Sequence, residues 1–268
     1  MRKAVVTVLG FWLLSAAAGI HAQQNSIQLE ELTWMEAEAA LPRYEVVMIA
    51  LGARSKEHGP HLPLKNDYVM AEYLKRRVME EVPVAVLPTL QYGYYPAFLE
   101  YPGSISLQAE TFTRMIVDIC TSMHGYGKKK FYVLNTGVST LRPLQSAAEA
   151  LEAFGITLRY LNILKADESL PSELLQQEGG THADESETSM MLYIAPEIVR
   201  MEKAVKDLDM RPRRRGLTRD PERKVAYSPT GIWGDPTLAT KEKGEIIVEH
   251  TIRVIVAQIK SLIEFNPD

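Results

Sequence analysis

Cysteine is almost absent from this chain: Cys120 is the only one among 268 residues. One thiol cannot close an intramolecular disulfide, and no cysteine cluster exists for a zinc-thiolate site. Cys120 sits in the apolar helical pattern Met115, Ile116, Ile119 and Met123, which reads as core rather than as a nucleophile. A basic excess is also lacking. Thirty Lys and Arg face 34 Asp and Glu, for a formal net charge of −4. Such a chain has few cations to spare for phosphates, so nucleic acid is not an expected partner. The one basic cluster is Arg211, Arg213, Arg214, Arg215 and Arg219. Pro212, Gly216 and Pro221 break it into what reads as a solvated loop. The chain has no dinucleotide fingerprint, no phosphate loop, no His-Glu-x-x-His helix and no Gly-x-Ser-x-Gly elbow around Ser139.

Long apolar runs are scarce as well. Val5 to Ile20 is the single candidate, and it falls short of the about 20 residues a bilayer crossing needs. Arg2 and Lys3 precede it, and Ile20-His21-Ala22 closes it with the small residue a signal peptidase requires. Residues 1–22 are therefore expected to be a secretory signal, and 23–268 one α/β domain. The expected destination is secretion to the periplasm. An exported chain without disulfides must be stabilised by its core or by oligomerisation.

What is present alternates between strand and helix patterns. Tyr44 to Leu51 and Val82 to Leu87 are apolar runs bounded by turn residues, as buried parallel strands are. Phe131 to Leu134 and Ile156 to Ile163 read the same way. Helical spacing is expected over Glu30–Ala40, Asp67–Glu80, Ala109–Gly125, Leu144–Phe154, Ser186–Ile194 and Glu245–Phe265. Ser169 to Gln177 reads as a short helix or lid, and 206–244 as loop-rich. This order predicts a three-layer α/β/α fold around a mostly parallel sheet. Ligands on such sheets gather at the carboxyl ends of strands. Three polar segments fall there: Gly52–Asp67, Leu90–Leu107 and Asn135–Arg142.

The first holds Glu57, His58, His61 and Asp67 in a loop shaped by Gly59-Pro60. Imidazoles and carboxylates together suit zinc, manganese or iron. The same residues also suit a hydrogen-bonded turn that anchors the next helix. A second cluster, His182, Asp184, Glu185 and Glu187, precedes an apolar helix. Asp184 and Glu185 fit helix capping there. His182 and Glu187 are left as candidates for acid–base chemistry. Asn135, Ser139 and Arg142, with Tyr92, Tyr94 and Tyr95 of the aromatic loop, are candidates for contact with a small polar substrate.

These segments resemble the creatininase (creatinine amidohydrolase) family. The likeness lies in Glu57-His58-Gly59-Pro60-His61-Leu62-Pro63-Leu64 with Asp67, and in Tyr101-Pro102-Gly103-Ser104-Ile105-Ser106-Leu107. It continues in His182-Ala183-Asp184-Glu185 with Glu187-Thr188-Ser189, and in Gly231 to Gly244. The resemblance spans about residues 28–260. It implies hydrolysis of small amide or cyclic-amide C–N bonds and a divalent-metal site, usually of two ions. It also implies a homo-oligomer, often a hexamer. Carried over residue by residue, His58, Asp67, Glu57 and Glu187 are the expected ligands, and His182 and Glu187 the expected catalytic groups. Two departures stand out. Lys56 occupies the place of the usual glutamate, with Glu57 shifted next to His58. The family's metal-binding histidine falls at Gly137 or Val138, neither of which carries an imidazole. The expected content is thus one or two ions. A non-catalytic relative that binds a small ligand is the other reading, and isomerase or lyase chemistry in the same pocket is a third.

Overall fold

The computed structural model describes residues 26–209 and 214–266. The signal expected at 1–22, and Arg211 and Arg213 of the basic cluster, lie outside them. Among the described residues, no helix is long and apolar enough to cross a membrane.

Five parallel strands form one sheet in the order β1-β3-β2-β4-β5. They are β1 (Ile27–Gln28), β2 (Val46–Leu51), β3 (Ala85–Leu90), β4 (Lys130–Asn135) and β5 (Thr157–Tyr160). Every residue of β2 and β4 is buried, as parallel strands covered on both faces must be. Their side chains alternate between two cores. Val46, Met48, Tyr132 and Leu134 face α2 (Asn66–Glu81), α6 (Glu185–Ile194) and α7 (Lys241–Glu264). Val47, Ile49, Leu51, Phe131 and Val133 face α3 (Ala109–His124) and α4 (Leu141–Glu152). This is the expected three-layer α/β/α arrangement. Cys120 is fully buried in the second core, where burial pushes its thiol up to about 12.

Several boundaries differ from the sequence expectation, each for a local reason. Helix α1 (Trp34–Ala40) starts only after Thr33, which forms a reciprocal capping box with Glu36. Strand β3 continues through Pro88. The β2–β3 register shifts there and β1 pairs only with Ala85 and Val86, so the missing N–H breaks no ladder bond. Helix α4 begins at Leu141 with Pro143 in its first turn, where a proline N–H is not needed. Ser169 to Gln177 holds no helix. The short α5 (Ile163–Asp167) precedes it, and the amides of Gln176 and Gln177 donate to Glu185 instead. Within the region expected to be loop, β6 (Arg214–Thr218) and β7 (Val225–Tyr227) pair in parallel. Arg214 and Arg215 of the basic cluster are therefore strand residues.

Leu51 and Asn135 end β2 and β4 in register. The segments that follow them, together with the loop after β3, meet at this one edge of the sheet. A third apolar cluster of Ala53, Tyr95, Phe98, Tyr101, Leu217 and Ala226 covers it.

Candidate metal centre

Asp67 lies in the first turn of α2 and is completely buried. Its two oxygens have different partners. Lys56 Nζ donates to Oδ2 at 2.7 Å, and His58 Nε2 lies 2.7 Å from Oδ1. His58 Nδ1 donates to the Lys56 carbonyl at 2.9 Å, so Nε2 is the ring nitrogen that faces the carboxylates. Glu187 Oε1 is 3.2 Å from the same nitrogen. Burial disfavours a charged imidazole, but Asp67 and Glu187 outweigh it and push His58 up to about 9. Burial likewise opposes the charge on Lys56. The carboxylates of Asp67, Glu187 and Glu57 overcome it and hold the ammonium above its ordinary value.

The second half of the centre comes from the start of α6. Asp184 is the N-cap and accepts from the Glu187 amide at 2.9 Å. Ala183 just before it has a φ of +48, the one positive value outside glycine among the described residues. A backbone forced into this region costs roughly 1–3 kcal/mol. Here it turns the Ala183 amide onto Glu187 Oε2 at 2.7 Å. Asn66 Nδ2 donates to Glu187 Oε1 at 3.1 Å. Glu187 is therefore fixed from both sides, and His58 helps to keep its carboxyl well below the usual range against the opposing burial. Glu185 points away and pairs with Lys243 of α7.

His182 Nε2 is 2.8 Å from Glu57 Oε1, and its Nδ1 is 3.7 Å from Glu187 Oε2. Its ring packs on Phe98 with centroids 4.4 Å apart. Glu57 also accepts from the Gly59 amide at 2.8 Å. The loop 101–107 props up this arrangement. Ser104 Oγ accepts from the Glu57 amide at 3.0 Å, and Ser55 Oγ donates to the Gly103 carbonyl at 2.6 Å. With Glu57 on Nε2–H, the Nδ1 lone pair of His182 faces the carboxylate centre.

One nitrogen each from His58 and His182 and one oxygen from Glu187 all lie within 4.8 Å of one another. The 3.2 Å between His58 Nε2 and Glu187 Oε1 is close to the about 3.3 Å edge of a tetrahedral zinc with bonds near 2.0 Å. Asn66 Oδ1 and His61 Nδ1 are buried without a hydrogen-bond partner. The donor set fits one divalent ion.

The remaining sequence candidates are placed as follows. His61 is not one of the three grouped residues: its Nε2 meets Thr188 Oγ1 at 2.8 Å, and burial lowers its pKa to about 4. Glu57 serves His182 and the Gly59 amide. Asn135 is fully buried and spent internally: it donates to the Gly137 and Leu161 carbonyls and accepts from the Gly137 amide and Thr140 Oγ1. It shapes the loop after β4 and has no group left for a substrate. Ser139 is half-buried in that loop, and Arg142 is exposed on α4. Tyr92 is exposed and Tyr94 packs on the second core. Tyr95 is buried at the centre, with Lys56 Nζ 5.5 Å from its ring centroid. Sequence reasoning missed three members: Lys56 as a buried cation, Asn66 as the donor to Glu187, and Phe98 as the wall behind His182. Only Lys56 carried a signal, as a lysine directly before Glu-His.

Comparison with known proteins shows the family. The family model described as Creatininase, creatinine amidohydrolase, matches residues 30–259. This chain belongs to the creatininase family. Creatinine amidohydrolase of Pseudomonas putida is 28% identical over 265 residues, covering 91% of this chain and 99% of that protein. The mycofactocin precursor peptide peptidase of Mycobacterium tuberculosis (strain CDC 1551 / Oshkosh) is 29% identical over 217 residues, covering 75% and 79%. A solved mutant creatininase of Zn-Zn type superposes with a TM-score of 0.74 at 27% identity, covering 90% of this chain and 99% of that one. Within the creatininase family this chain is a hydrolase whose His58, His182 and Glu187 form a candidate metal group.

Proposed function

We propose that the chain hydrolyses an amide or cyclic-amide C–N bond in a small polar substrate, using a single divalent ion. The observation that carries this reading is the convergence of His58, His182 and Glu187 on one point between rigid elements. His58, His182 and Glu187 would hold the ion together with Asp67. Zinc suits this mixed nitrogen and oxygen set best, with manganese or iron as alternatives. When bound, the ion lowers the pKa of a water molecule and polarises a carbonyl. Glu57 holds Nε2 of His182 and so keeps Nδ1 turned toward the place of the ion. Tyr95 and Phe98 are the apolar walls that exclude bulk water from the carboxylates.

A second reading has its own support. Asp67 is already neutralised by Lys56 and His58, so the fold does not need an ion to satisfy that carboxylate. A relative that binds a small ligand without catalysis would look like this. Elemental analysis of protein purified without added metal separates the two. Close to one ion per chain is expected, and Asp67→Ala should release it. If neither the purified nor the metal-supplemented protein holds an ion, the hydrolase reading fails. We also propose export to the periplasm, from the segment 1–22, and a homo-oligomer of the hexameric kind. The exposed pair Trp34 and Met35 on α1 is the patch that self-association would cover.

A further inference from the structure

A lysine is an unexpected neighbour for a metal-binding carboxylate. The Lys56 side chain is 6% exposed, and its Nζ lies 2.7 Å from Asp67 Oδ2. His58 occupies the other oxygen. Asp67 therefore bridges two cationic positions, the Lys56 ammonium on Oδ2 and the side of His58 on Oδ1. The other faces of the ammonium meet aromatic rings: Phe98 and Tyr95 have centroids 5.0 and 5.5 Å from Nζ. A buried ammonium is tolerated only when paired and held in this way.

The end of β4 supplies the second observation. Gly137 has no side chain, and a Cβ built there would stand 3.3 Å from both the Tyr95 ring and Thr140 Oγ1. The Tyr95 ring thus fills the room from which a ligand on this loop would reach Asp67 Oδ2. One solved relative is of Zn-Zn type. Here the second position has a resident cation, and the loop after β4 brings no donor to it.

We propose that the Lys56 ammonium is a built-in cation that takes the place of a second metal ion, so that the centre holds one ion bridged to the ammonium through Asp67. This rests on the one-ion hydrolase reading. The test uses metal-stripped full-length protein, titrated with Mn2+ and Zn2+ by calorimetry, with bound metal counted after desalting. Wild type, Lys56→Arg, Lys56→Met and Lys56→Glu are compared. Wild type and Lys56→Arg should saturate at one ion. Lys56→Met should bind that ion about tenfold more tightly or better, because a like charge a few ångströms away is gone. Lys56→Glu should take up a second ion. Two ions in wild type would overturn the inference and leave a metal-dependent hydrolase with two ions instead of one; unchanged affinity and stoichiometry in Lys56→Met would overturn the inference and leave the one-ion hydrolase reading standing. No ion in wild type but one in Lys56→Met or Lys56→Glu would overturn both the inference and the one-ion reading. No ion in any folded variant would overturn both. Should Lys56→Met fail to fold, the wild-type count decides.

Discussion

Gly231 offers a direct test of how Glu57 and His182 are held. Its φ is +87, and an added Cβ would lie 2.1 Å from Glu57 Oε2. Gly127, in the turn after α3, has nearly the same φ of +82 but nothing within 4 Å of its Cβ position. Changing each to alanine imposes the same backbone penalty and differs only in the collision. Left-handed strain costs roughly 1–2 kcal/mol, and the stiffer unfolded chain returns about 0.4–1 kcal/mol. Gly127→Ala should therefore lose only about 1 kcal/mol. Gly231→Ala adds an overpacking cost of about 1–3 kcal/mol, for a total near 2–4 kcal/mol. In a chain of this size 1 kcal/mol moves Tm by about 2–4 °C. Calorimetry should thus separate the variants by several degrees. The displaced Glu57 carboxylate can no longer orient His182, so metal affinity should also fall about 10–100-fold in Gly231→Ala alone. Equal stability losses with unchanged metal binding would refute the placement of Glu57 beneath residue 231.

Other expectations follow from single contacts. Glu57→Ala should weaken metal binding by about 10–100-fold, and Glu57→Gln by less, since the amide oxygen can still accept from His182; equal losses by calorimetric titration would argue that charge alone matters. Thr188→Val removes the partner of His61 Nε2 and should cost about 1–3 kcal/mol; a neutral result in urea titrations would mean that His61 has another partner. Cys120 should not react with a thiol reagent in the native state and should titrate as a single thiol in denaturant. Fast native labelling would show that the second core opens.

The layers of the fold were legible because the strand runs are apolar at every position and the helices between them are periodic. Val46 to Leu51 has one side chain after another that needs cover, and only helices on both faces supply it. The misreadings came from local exceptions. Pro88 reads as a stop in sequence, yet it sits where the ladder is already interrupted. Ser169 to Gln177 has helix-forming residues, but its amides are captured by Glu185, a partner later in the chain that periodicity does not reveal. In the site, His58, Asp67 and Glu187 could be named from residue type. The role of Asn135 could not. Its polar atoms suggested a substrate contact, and the structure shows them bonded to the turn after β4 and to the Leu161 carbonyl.

Lys56 and Gly137 have to be read together. An ammonium beside a full two-ion site would be repelled by the ions, and a missing ligand at 137 would leave one ion short of donors. Combined, the two features are consistent: Asp67 Oδ2 keeps a cation, and no further ligand is required. It follows that restoring the ligand at 137 alone should not restore a second metal position. In Gly137→His the new ring must displace Tyr95, whose ring lies 3.3 Å from the Cβ position, and Lys56 still holds the oxygen it would share. That variant should bind one ion and lose stability, by about 1–3 kcal/mol for the overpacking. Gly137→His combined with Lys56→Glu supplies an imidazole and a carboxylate while removing the competing charge, and should bind two. Metal counting on the single and double variants decides the point. A second ion in Gly137→His alone would mean that Lys56 yields its place to a metal, and that the ammonium is a movable counter-ion rather than a fixed part of the centre.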